Sequence, residues 1–173
     1  MKKVISLGLL LCAGIAMSQE KMTQVPPVEL KDLSFREGNW KGDFMMKSGT
    51  TESKTTATME TKSKLGGRYL VSENVMVTDG MTHYGTMIFT FDTARKKWIG
   101  WWFDSMTPMP VEVEGDWTNN TLTLMSKSST SSSVPPMRVT YRKSANDKLE
   151  VMIESLENGT WSTAIRGTLT KDM

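Results

Sequence analysis

From Trp40 to Lys171 the chain is one short period-two run after another, and the links between runs are mostly too short for anything but hairpins. The runs cover residues 40–46, 54–62, 68–77, 81–91, 97–104, 111–117, 121–127, 137–143, 148–156 and 160–171. Tyr69, Val71, Val75 and Val77 recur every second residue, and Met87, Phe89 and Phe91 keep the same rhythm. That period belongs to a strand with one apolar side. Asp79-Gly80, Asn119-Asn120, Asn146-Asp147 and Asn158-Gly159 stand between runs. Such pairs tolerate the left-handed backbone of a tight hairpin turn. Gly66-Gly67 and Asp92-Thr93-Ala94-Arg95 punctuate two more links.

Short links force antiparallel pairing, because parallel strands need long crossovers. A flat meander of this length would leave two open edges, and closure removes them. The expected fold is therefore all-β: an antiparallel up-and-down β-barrel of about ten strands, preceded by a short helical turn. The turn falls at 28–35, with Leu30, Leu33 and Phe35 as its apolar contacts. It is too short to be stable alone and has to pack on another part of the chain.

Residues 1–18 read as a signal peptide. Lys2 and Lys3 precede an apolar run over 4–15, and Ala16-Met17-Ser18 offers small residues at the cleavage positions, before Gln19. Cys12 follows Leu11 rather than a small residue, which argues against lipidation. Residues 19–29 form a polar arm with Pro26-Pro27, and 30–173 a single barrel domain. Export to a periplasm or out of the cell follows, and no later run is long enough to span a bilayer.

Lys plus Arg number 21 and Asp plus Glu 19, and removal of Lys2 and Lys3 leaves the two equal. A nucleic-acid partner would ask for a basic excess. One Cys and one His exclude a disulfide framework or a Cys/His zinc site within one chain. A Ser-His-Asp arrangement would have to use His83, and there is no Gly-x-Ser-x-Gly elbow. No catalytic residue, metal site or cofactor is assigned.

Three groups of residues resemble a known family. Gly38-Asn39-Trp40-Lys41-Gly42 opens the first run, and Gly66-Gly67-Arg68-Tyr69-Leu70 the third. Phe91-Asp92 and the stretch from Lys96 to Ser105 span the fourth link and the fifth run. Together they resemble the bacterial domain of unknown function 1579, from about Leu33 to Lys171. The Gly-x-Trp element also opens lipocalins and fatty-acid-binding proteins. The resemblance implies a calycin-like barrel without an established activity. Trp98 stands where Tyr is more usual, and the Ser-rich stretch 126–133 is an added loop, either connector or lid.

Alternation places Trp98, Gly100, Trp102 and Asp104 on one face of the fifth run and Lys97, Ile99, Trp101 and Phe103 on the other. The first face is assigned inward. An inward carboxylate needs a partner, and Arg68 is the candidate. The pair serves either as a salt bridge fixing the barrel or as an anchor for a ligand headgroup. Trp40, Tyr69, Trp98 and Trp102 are the expected walls of a site for a small apolar or amphipathic ligand. The 15 methionines suit either an adaptable pocket or plain core filling. Two other readings stay open. One is a filled barrel that docks a partner through Trp101 and Phe103. The other is a metal or haem site through His83.

Overall fold

The computed structural model describes residues 26–107, 109–127 and 135–172. The expected signal peptide, most of the polar arm and most of the Ser-rich loop lie outside the described residues. The chain opens with a short helix of the 3-10 type, Val28–Arg36. Ten strands follow among the described residues: β1 (Gly38–Ser48), β2 (Thr51–Lys64), β3 (Tyr69–Thr78), β4 (Met81–Asp92), β5 (Lys97–Asp104), β6 (Val111–Thr118), β7 (Thr121–Ser126), β8 (Met137–Ala145), β9 (Lys148–Glu157) and β10 (Thr160–Lys171).

Each strand pairs antiparallel with the next, and β1 also pairs with β10, so the sheet closes on itself. This is the up-and-down barrel that the hairpin spacing implies. Asp79 and Gly80 have φ of 48° and 78°, Asn119 and Asn120 50° and 61°, Asn158 and Gly159 49° and 78°. Two consecutive left-handed residues match the right-handed twist of the strands they join. In the β4–β5 turn, Asp92 Oδ1 accepts from the backbone N–H groups of Ala94 and Arg95, both at 3.0 Å, and its Oδ2 accepts from Arg95 Nε at 2.7 Å.

The helix plugs one end. Leu30 and Leu33 are buried with Trp40, Phe89, Leu122, Leu124, Leu149 and Leu169. Trp40 Nε1 donates to the Arg36 carbonyl at 2.8 Å, and Lys171 Nζ donates to the Phe35 carbonyl at 3.4 Å. These bonds take up carbonyls that the end of the helix leaves without partners of its own. Phe35 also rests against Trp117, with ring centroids 5.8 Å apart.

One strand reverses the sequence pattern. On β3 the buried positions are Leu70, Ser72 and Thr78, while Tyr69, Val71, Val75 and Val77 lie on the opposite, outer side. Ser72 meets Thr61 at 2.7 Å, and Thr78 meets Thr55, so the inward hydroxyls satisfy one another. The outer valines find apolar neighbours across the sheet: Val71 stands opposite Ile88, and Ile88 opposite Trp101.

Candidate ligand-binding site

Between the plug and the far mouth the barrel interior is not filled. A cavity of about 410 Å³ reaches from Met59, Tyr141 and Leu169 to the rim at Met106, Thr107 and Met137. That is within the usual range for small-molecule sites. Its walls are mainly apolar. Six methionines line it among the described residues: Met46, Met59, Met76, Met87, Met106 and Met137. Unbranched, polarizable side chains leave such a wall able to follow different shapes.

The fifth-strand face assigned inward does turn inward. Trp102 and Asp104 line the cavity, and Trp98 is buried. Trp102 Nε1 donates to Asp104 Oδ2 at 2.9 Å. Asp104 Oδ1 accepts from the backbone N–H groups of Met106 at 2.6 Å and Thr107 at 2.7 Å. The carboxylate thus ties the indole to the start of the β5–β6 loop. A Cβ on Gly85 would stand 2.3 Å from Trp102 Cη2, so the ring occupies the space that a side chain on β4 would fill.

Asp104 does not meet Arg68. Asp104 stands opposite Gly85 in the β4–β5 ladder, whereas the Arg68 carbonyl accepts from Thr90 Oγ1 at 2.9 Å. Five residues of strand separate those two levels, roughly 17 Å. Arg68 belongs to the plugged end, and its Nε is buried without a hydrogen-bond partner among the described residues. Trp40 and Trp98 are buried core residues that do not line the cavity: Trp40 sits under the helix, and Trp98 packs edge-on against Phe91 at 5.4 Å. Tyr69 lies on the outer side of the barrel. Of the six residues expected to form the site, Trp102 and Asp104 come together at the cavity. The carboxylates Asp43, Glu73 and Asp104 do not converge, since Asp43 pairs with Lys54 on the outside at 2.9 Å and Glu73 is exposed.

His83 is half-buried on the cavity wall, opposite Met76 across the β3–β4 ladder. Among the described residues no three His, Cys, Asp or Glu side chains group as metal ligands would. A broader depression of about 780 Å³ lies on the outer wall over β1, β10, β9 and β8. It is shallow, and its charged rim is already paired, Lys54 with Asp43 and Arg142 with Glu150.

Sequence reasoning missed Arg36. It is fully buried beneath the cavity, which it does not itself line, with its guanidinium carbon 4.0 Å from the Tyr141 ring centre and 4.6 Å from that of Phe89. Nη2 lies 3.9 Å from Met59 Sδ, a weak acceptor. Nε and Nη1 have no hydrogen-bond partner among the described residues. Burial pushes the Arg36 pKa down and Tyr141 opposes that shift, but a guanidinium keeps its charge in proteins. The signal was present: Leu30, Leu33 and Arg36 recur every third residue, the period of a 3-10 helix.

A family model described as a protein of unknown function, DUF1579, matches residues 27–171. The chain belongs to the DUF1579 family. Among solved structures, this DUF1579 barrel is similar to Rv2717c from M. tuberculosis, with a TM-score of 0.66 and 16% identity over 86% of this chain and 100% of that one. It is also similar to the S-type phycobiliprotein lyase CPES from Guillardia theta, with a TM-score of 0.54 and 10% identity over 86% of this chain and 99% of that one. At these identities the likeness is one of fold. No curated protein matches the sequence.

Proposed function

We propose that this DUF1579 protein is exported and binds a small apolar or amphipathic molecule inside its barrel, in a periplasm or outside the cell. The cavity of about 410 Å³ carries the reading: a barrel needs no internal void to be stable, and voids weaken packing. The methionine-lined wall favours an apolar guest. The Trp102–Asp104 hydrogen bond shapes the rim through which the guest would pass. Export is supported by the n-region, apolar run and small-residue site over 1–18.

Native mass spectrometry of the protein purified gently from its own compartment tests both parts. The expected spectrum shows a chain beginning at Gln19 with an added mass that disappears on denaturation. A full-length chain confined to the cytosol would overturn export. A clean apo mass, together with failure to take up any apolar probe, would overturn interior binding.

A further inference from the structure

Beneath the foot of the cavity, behind Met59 and Tyr141, lies a cation without an oxygen acceptor among the described residues. Arg36 is fully buried, yet its Nε and Nη1 find no acceptor among the described residues, and Nη2 has only the Met59 sulfur. The faces of Tyr141 and Phe89 compensate the cation only in part, and a buried guanidinium short of acceptors remains unfavourable. At the same end Glu29 Oε2 and Arg68 Nε are also buried without partners among the described residues, but the polar groups farther along the interior are answered. Thr61 and Ser72 satisfy each other, as do Thr55 and Thr78, and Asp104 spends both oxygens on named donors. Of the three side chains around the guanidinium, Met59 and Tyr141 line the cavity and Phe89 does not. A thioether on a flexible stem is the kind of neighbour that can step aside.

We infer that the guest is an amphipathic acid, whose anionic head passes between Met59 and Tyr141 to Arg36 while its apolar tail lies along the methionine wall toward Trp102. This rests on the interior-binding reading above. A guanidinium offers several fixed donors to a carboxylate, and a charge-assisted bond in a water-poor site is among the stronger polar contacts available. The protein would then carry a destabilising cation in order to select the charge of its guest.

Three probes with one tail and different heads test it: dodecanoate, dodecanol and dodecyltrimethylammonium, titrated below their micelle concentrations and followed by calorimetry. The wild-type protein should bind dodecanoate about tenfold or more tightly than dodecanol, and the ammonium most weakly. Arg36→Met should abolish the preference for the acid, leave dodecanol binding in place and raise the melting temperature of the apo protein. Equal binding of acid and alcohol by the wild type, or a preference that survives Arg36→Met, would overturn the inference and leave interior binding standing. No binding of any probe to the wild type would remove the interior-binding reading itself. A crystal structure of the wild-type dodecanoate complex is independent of how the variant folds. A carboxylate within hydrogen-bond distance of Arg36 supports the assignment, and a carboxylate at the rim beside Met106 defeats it.

Discussion

Lys171 lies over Trp40, its Nζ 5.4 Å from the indole ring centre, and so ties the last strand to the first. The same ammonium donates to the Phe35 carbonyl, while the Trp40 indole donates to the carbonyl of Arg36. Two side chains at the barrel seam therefore hold the carbonyl end of the plugging helix. Trp40→Ala should destabilise the fold by about 3–5 kcal/mol, through a large cavity and an orphaned carbonyl. Lys171→Ala, at a half-buried site, should cost about 1 kcal/mol. Urea unfolding checks both, as lower midpoints with an unchanged slope.

Gly85→Ala tests the packing of Trp102. The new methyl would meet the indole at 2.3 Å, and the ring cannot retreat without stretching its bond to Asp104. Overpacking of this kind costs about 1–3 kcal/mol. A shifted tryptophan emission together with weaker binding of an apolar probe is expected. Unchanged emission and affinity would mean that Trp102 is free to move and does not define the rim.

Filling the void should separate stability from binding. Ala57 is buried and lines the cavity. Ala57→Leu places apolar volume in empty space, so stability should hold to within about 1 kcal/mol, whereas overpacking a dense core would cost about 1–3. Dodecanoate affinity should fall at least tenfold. A variant that melts as the wild type and binds as well would show that the guest sits elsewhere.

The outer wall predicts an acid limb. Arg138 Nε donates to Glu154 Oε2 at 2.6 Å and Arg138 Nη2 to Oε1 at 2.9 Å. The hydrogen bonds from Arg138 hold the Glu154 carboxyl below its ordinary range, against an opposing push from burial. A depressed carboxylate stabilises the fold above the unfolded pKa, about 4.3, and loses that contribution as pH falls through the folded value. Glu154→Gln should therefore lower stability at neutral pH by about 1.5–3 kcal/mol. Its deficit against the wild type should close as the pH drops below about 4. A gap that stays constant with pH would assign the loss to packing rather than charge.

The closed ten-strand meander was legible because turn chemistry is local. Asp79-Gly80, Asn119-Asn120 and Asn158-Gly159 adopt the left-handed pairs that their residue types favour, whatever the rest of the chain does. Links that short leave antiparallel neighbours as the geometric outcome, and a meander without a bare edge has to close. The inward face of β5 was assigned on the family-like residues Trp102 and Asp104, and that face does turn inward. The apolar period of β3 pointed to the wrong side. Alternation defines two faces without saying which is inside, and on this strand both have partners: hydroxyls within, Ile88 and Trp101 without.

The sequence alone determined the antiparallel barrel, its short helical turn and its four two-residue hairpins, because backbone propensity and short links act over a few residues. Only the tertiary structure decided which end each polar group occupies. Strand length set Arg68 and Asp104 far apart, and the helix carried Arg36 under the cavity, against Met59 and Tyr141 from β2 and β8. Such meetings depend on register and closure around the whole barrel, and no local stretch of residues encodes them.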